Sequence, residues 1–320
     1  MAEILEQAVP PPEMVSPLRK PARREAWTAP RVREAALGLL MAAPPVVVLI
    51  LLIIVPAIDA ARFSLGIVPQ GNITFSTGAH LIQSDTPTLA VYQNLLGSQF
   101  FRDDLALTAV VVVAAVLIVL VVSYVLALYV RFGTGRLPAI VRTLYLVPMF
   151  VPVVIASYAL IIFYGSHGAL NALLARVHLG YTSPIYHQSG IVLGQVWTNI
   201  PFAVLILGAG LDGVSEELVE AARDVGASFP LVLRRIVLPL NVVPTLIVLT
   251  FSFIGVLGSF TIPYLLGPNA PQMFGVAMQA YFSSYRQPQP AVAMAVLTFI
   301  AASGAGALYV WATVRSRRSA

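Results

Sequence analysis

Apolar and polar positions alternate along this chain in long blocks. Uncharged stretches run from Ala35 to Ile58, Leu105 to Val130, Thr143 to Ala175, Val177 to Leu211, Ile236 to Tyr285 and Gln287 to Val314. Each exceeds the ~20 residues a helix needs to cross the hydrocarbon core of a bilayer. Soluble core helices rarely sustain such runs. The pattern therefore predicts an all-α membrane protein with six transmembrane helices, at 35–58, 105–130, 140–163, 190–211, 242–263 and 290–312. The run 236–285 has room for two helices, but Pro263, Pro268 and Pro271 interrupt its second half. Residues 273–285 then read as an interfacial or re-entrant helix, too short to cross.

Charge adds an orientation to this pattern. Hydrophobic residues make up 58% of the chain and charged ones 10%, against about a quarter charged in soluble domains. Of the 19 Lys and Arg residues, all but Arg62, Arg102, Arg176 and Arg286 fall in 1–34, 131–142, 212–240 and 313–320. That bias puts those segments, and both termini, on the cytoplasmic side. It also explains the net charge of +5 without nucleic acid. Residues 1–34 hold Pro10-Pro11-Pro12, five glutamates and six basic residues, a composition that cannot bury a core and reads as a flexible cytoplasmic tail. Arg19, Lys20, Arg23 and Arg24 within it would gain about 1 kcal/mol per charge beside anionic lipid, although an orientation signal is the simpler reading. The remaining division is a transmembrane domain at 35–315 and a short cytoplasmic C-terminal tail at 316–320. An outer loop at 59–104 carries the turn formers Pro69, Gly71, Asn72 and Gly78. The first apolar run is too long for a signal-peptide core and lacks a small-x-small cleavage site after it, so it reads as a retained span.

Several chemistries are excluded. There is no cysteine, hence neither a disulfide framework nor a thiolate metal site. His80, His167, His178 and His187 lie on the outer side without the short paired spacing that ligands need, so no metal site is expected. No Asp, Glu, Lys or Arg lies well inside an expected span, which argues against ion-coupled carriers, whose coupling groups sit at membrane depth. A P-loop needs a lysine behind a glycine-rich turn, and the single lysine, Lys20, sits in LRKPARR with no glycine near it. This chain is thus expected to be no enzyme, and energy for transport must come from elsewhere. The spans hold features of a gated route. Prolines at 44, 45, 56, 148, 152, 201, 244 and 263 permit kinks, and Gly255, Gly258, Gly304 and Gly306 permit close helix approach. Tyr158, Trp197, Thr198, Asn199, Ser252 and Ser259 could line a solute pathway, or serve singly as polar packing residues between helices.

The polar insert GVSEELVEAARDVGASFPLVLRRIVLPLN, residues 213–241, is too patterned for filler. Ser215 stands at an N-cap position, with Glu216 and Glu217 in the first turn, where the helix dipole favours acids. Good helix formers continue to 225, with Leu218, Ala221, Ala222 and Val225 spaced to share one face. Gly226 supplies the left-handed freedom of a helix end. Ser228 and Pro230 then restart a helix that leads through Leu238-Pro239 into the fifth span. Ordinary connections run nearer two to six residues. A capped helix, a glycine corner and a second helix suit docking on another protein.

Glu220-Ala221-Ala222, three further residues, Gly226, and later Ile236-x-Leu238-Pro239 resemble the cytoplasmic EAA loop of binding-protein-dependent ABC importer permeases. The resemblance covers roughly residues 35–315 and implies the six-helix type I (MetI-like) permease fold. It implies that Glu220, Ala221, Ala222 and Gly226, with Glu216, Glu217 and Asp224 beside them, form the coupling helix seated on an ATPase. It also implies a second permease subunit, a homodimeric ATP-binding subunit that carries ATP and Mg in place of any cofactor here, an extracytoplasmic solute-binding protein, and a bacterial inner-membrane location. Sugar-type permeases commonly place aspartate immediately before the glycine. Here Val225 is there and Asp224 one place earlier, similar to the polyamine, sulfate and molybdate branch, and GSFTIPYLLGPNAPQMFGVAMQAYF is similar to the first permease of spermidine/putrescine systems. A polyamine would favour carboxylates along its path, and the spans offer only aromatic faces such as Trp197 or Tyr158 for cation–π contact. Sugar, phosphonate, thiamine and iron systems stay open, as does a stand-alone channel or facilitator.

Overall fold

The computed structural model describes residues 29–68, 78 and 80–318, with side chains between 37 and 315. The expected flexibility and lipid contacts of residues 1–28, and the turn formers Pro69, Gly71 and Asn72, lie outside the described residues. The chain divides into two compact units, Met1–Ala57 and Ile58–Ala320. The first holds α1 (Ala29–Leu49) and a π-helical turn at Ile50–Ile54, and α2 (Val55–Ser64) begins there and ends in the second. The helix thus starts six residues before the expected span and ends six after it. Its side chains from Leu37 to Val55 are exposed, as a span covered by lipid or a partner helix would be.

The second unit continues with α3 (Ala90–Gly97), α4 (Gln99–Phe132), α5 (Leu137–Phe150), α6 (Val153–Tyr164), α7 (Ala169–Arg176) and α8 (Gln188–Asp212). The polar insert holds α9 (Glu216–Asp224), α10 (Phe229–Val232), a π turn at Leu233–Val237 and α11 (Leu238–Leu240), and α12 (Val242–Leu257) follows it. The chain ends with α13 (Thr261–Leu266), α14 (Phe274–Gln279), a π turn at Ala280–Ser284, and α15 (Pro288–Arg318). The described residues contain no strand. Five of their helical stretches are long and apolar enough to cross a membrane, six if the bent pair Phe229–Leu240 and Val242–Leu257 counts as one.

The core is a bundle of α4, α8 and α12. On α4, Leu107, Val111, Ala115, Val119, Ser123 and Ala127 are buried at strict steps of four, the row that faces a neighbouring helix. The opposite face, Val110, Val113, Leu117, Val121 and Val125, is equally apolar and exposed. A helix greasy on both faces is what a bilayer selects. Glycines on α8 set close approaches, Gly194 and Gly210 among them. A Cβ at Gly194 would lie 2.7 Å from Leu266 and 2.8 Å from Ile262 of α13, and one at Gly210 would overlap the Asn241 amide oxygen. Gly304 and Gly306 have open space around them, Gly258 meets only its own helix carbonyl and Gly255 only Asn199 at 3.9 Å. The four glycines expected to bring helices together do not do so within this chain.

One expected span is broken and another is cut short. The third, read as 140–163, is interrupted at Val151-Pro152 between α5 and α6. Proline pushes the residue before it out of the helical region, and Val151 takes φ −97°, ψ 119°. The fifth starts at Val242 as expected, just past a 67° bend at Asn241. Pro244 lacks the N–H that a continuous helix would aim at the Leu240 carbonyl. The span stops at Leu257, short of the expected 263. A short helix stands where one is expected at 273–285: α14 and its π turn span eleven residues, about 16 Å at helical rise, with Phe274, Val276 and Ala277 buried.

Candidate functional site

α9 is built from local rules. Ser215 is its N-cap, with φ −63° and ψ 140°, although its hydroxyl makes no capping bond. Glu216 and Glu217 stand in the first turn and Arg223 in the last, each favoured by the helix dipole. Gly226 takes φ +86° and closes the helix with the reciprocal pair of bonds of a Schellman motif. Its N–H donates to the Arg223 carbonyl at 2.9 Å, and the Ala227 N–H to the Ala222 carbonyl at 3.0 Å. Ser228 caps α10 with extended backbone, and Pro230 falls in its first turn.

The face expected to carry Leu218, Ala221, Ala222 and Val225 together is split. Ala222 turns inward with Val219 and Ala227, against a buried cluster containing Leu211, Val232 and Val237. Outward stand two parallel ridges at i, i+3, i+7 spacing. Leu218, Ala221 and Val225 form the first, and Glu217, Glu220 and Asp224 form the second; all six are exposed, Val225 to 86%. The helix presents an apolar ridge beside an acidic one.

Below it lie residues that pattern reading missed. Arg131, in the last turn of α4, donates from Nη1 to Glu216 Oε1 at 3.0 Å, and its Nε lies 3.7 Å from Asp212 Oδ1. At the bend, the fully buried Asn241 donates from Nδ2 to the Leu207 carbonyl and to the Tyr124 hydroxyl, each at 3.4 Å. Tyr124 bonds the Thr245 hydroxyl, which bonds the Asn241 carbonyl at 2.7 Å. This polar knot ties α4, α8 and α12. A lone asparagine between Pro239 and Pro244 was its only sequence signal.

The candidate pathway residues are dispersed. Tyr158 on α6 is 53% exposed, while Trp197, Thr198 and Asn199 on α8 are half-buried. Asn199 spends its amide N–H on the Gln195 carbonyl at 2.8 Å, and its oxygen faces Gly255. Ser252 is buried in the bundle with its hydroxyl unpartnered, and Ser259 sits at the break after α12 with its carbonyl against Gly275. Near the N-terminal end of α4 is a cavity of about 690 Å³ lined by Phe100, Asp103, Asp104, Tyr281, Tyr285 and Gln287, among others. Burial, then the Asp104 charge, raises the Tyr281 phenol above its ordinary value, so it stays a neutral hydroxyl. The cavity supplies the two carboxylates that the apolar runs lacked. The sequence reading ends the outer loop 59–104 on them, whereas α4 begins at Gln99, six residues before its uncharged stretch.

Residues 123–318, well over half of the chain, match the family of binding-protein-dependent transport system inner membrane components. The chain belongs to that family. This ABC importer permease is 29% identical over 184 residues to the maltose/maltodextrin transport system permease protein MalF of Vibrio vulnificus (strain YJ016). That match takes in 55% of the permease and only 35% of MalF, so the chain spans about a third of that relative. To the spermidine/putrescine transport system permease protein PotB of Escherichia coli (strain K12) it is 29% identical over 217 residues, 67% of the permease and 78% of PotB. The permease also superimposes on a chain of a bacterial ABC transporter involved in the import of the acidic polysaccharide alginate. The TM-score is 0.72 at 17% identity, over 90% of the permease and 97% of that chain. At that identity the likeness establishes the type I permease fold.

Proposed function

We propose that this permease is one of two transmembrane subunits of an ATP-driven importer, and that its solute is an organic amine of the polyamine type. α9 carries the proposal: a short helix with preset ends and two outward ridges is shaped for a groove that offers apolar surface beside basic side chains. That groove belongs to a homodimeric ATPase holding ATP and Mg. Its closure pushes on Glu216, Glu217, Glu220, Ala221, Ala222, Asp224 and Gly226 and tilts α8 and α12 about the Asn241 bend, a rigid-body switch. A solute-binding protein delivers the solute on the opposite face. The termini lie on the ATPase side of a bacterial inner membrane, in keeping with the distribution of Lys and Arg. Tyr158, Trp197, Asn199 and Ser259 line the route, and Ser252 joins them when the bundle opens.

The amine reading rests on the cavity, where Asp103 and Asp104 attract cations and the Tyr281 and Tyr285 rings offer cation–π contact. A sugar is the second reading, favoured by the likeness to MalF. Two experiments decide. In the complete importer, Glu220→Lys and Gly226→Leu should abolish uptake while ATP hydrolysis continues and the protein still inserts; normal uptake in both variants refutes coupling through α9. A thermal-shift screen of the cognate binding protein against spermidine, maltose and an aminophosphonate tests the solute. Stabilisation by maltose alone refutes the amine.

A further inference from the structure

α9 is nine residues long and buries none of its side chains. A helix so short does not hold itself together in water. Its closing motif fixes its C-terminal end to the following loop, yet this leaves its angle against the bundle free. Two supports remain. One is the small inward patch of Val219 and Ala222. The other is Arg131.

Arg131 gathers four elements. Its guanidinium holds Glu216 at the start of α9 and reaches Asp212 at the end of α8. It lies 5.7 Å over the Phe132 ring on its own helix, and Phe132 meets Phe229 of α10 edge to face at 5.4 Å. Asp212 and Glu216 are each more than two-thirds exposed and lie four residues apart, so without a cation between them their charges push α8 and α9 apart. Arg131 keeps only about a fifth of its side chain exposed, and its Nε has no hydrogen bond. It is one cation bonded to Glu216 and loosely facing Asp212, a fork with one short and one long prong. Arginine suits the place because its planar group presents its donors in a fixed fork and lies flat on an aromatic ring, whereas the lysine ammonium is a compact point charge on a flexible stem.

We infer that Arg131 is the positioning residue that sets the angle of α9 against the bundle, by holding Glu216 and Asp212 in one fork. Its consequence for transport rests on the coupling role proposed for α9; its consequence for geometry does not. The chain has no cysteine, so introduced cysteines report alone. Spin labels on Val225→Cys in α9 and Leu137→Cys in α5, read by pulsed electron resonance of the full chain in lipid nanodiscs, should give one narrow distance distribution. Arg131→Glu should broaden it at least twofold, Arg131→Lys less, and the exchange Arg131→Glu with Glu216→Arg should narrow it again. An unchanged distribution in Arg131→Glu, or no recovery in the exchange, overturns the assignment. In the complete importer, solute taken up per ATP hydrolysed should fall at least fivefold in Arg131→Glu and recover in the exchange. An unaltered ratio overturns the role in coupling. If the native chain in that complex shows no ATP-driven uptake, the importer reading fails, while the distance measurement still judges Arg131.

Discussion

α9 and α14 are short helices attached to opposite ends of α4, and they are held in opposite ways. α14 is built in. Asp104 Oδ1 accepts the Gln272 N–H at 2.6 Å and Thr108 Oγ1 the Phe274 N–H at 3.1 Å. The Phe274 ring stacks on Phe101 at 5.4 Å, in a cluster with Ala293 and Met294 of α15. α9 has no buried side chain and leans on a few small apolar groups and one ion-pair fork. The contrast separates a fixed part from a movable one. A segment that shifts against the bundle, as proposed for α9, is drawn from the weakly held end of the stability range, and one that shapes a cavity wall is not.

The comparison breaks first if α14 proves dispensable. Phe274→Ala should cost the fold about 3–5 kcal/mol, seen in unfolding of the purified chain in mixed micelles. A loss as small as that of an exposed α9 residue would put both helices in one class. Next, Asp104→Ala or Thr108→Val leaves a backbone N–H at the start of α14, of Gln272 or Phe274, unpaired, at about 1–3 kcal/mol each. The same unfolding measurement should show them, and faster hydrogen exchange at Gln272 and Phe274 should accompany them. Gly226→Ala comes third. A Cβ there meets nothing within 4 Å, so the cost is that of the left-handed backbone alone, roughly 1–2 kcal/mol. It should show as lost helicity confined to 216–226 in hydrogen exchange. Smallest are Leu218→Ala and Val225→Ala, within about 0.5 kcal/mol on stability. Their effect should appear as weaker retention of the ATPase in pull-down of the complex.

α9 was legible in the sequence because everything that shapes it is local. Ser215 at the cap, acids in the first turn, Gly226 at the corner and Pro230 after it act within a few residues of themselves. The apolar runs were legible because a bilayer demands about 20 greasy residues wherever it is crossed. What stayed hidden depends on partners far along the chain. Arg131 finds Glu216 across 85 positions and Asp104 finds Gln272 across 168. Pro152 was visible as a kink former, but composition alone does not say whether a proline bends a span or divides it. The 67° bend at Asn241 was masked by unbroken hydrophobicity from Ile236 onward. Close-approach glycines were misplaced for the same reason: Gly194 and Gly210 differ from Gly304 and Gly306 only in what faces them.

The exposed ridge of Leu218, Ala221 and Val225 also bears on how such a subunit is made. Until a partner covers it, the newly inserted chain displays oily side chains on the water side of the membrane, where they invite misassociation. Glu217, Glu220 and Asp224 run alongside and keep that ridge soluble, as charged gatekeepers do beside unavoidable apolar segments. Orphan copies should therefore be short-lived in the cell and, if the partner is the ATPase proposed above, its supply should set how much permease accumulates.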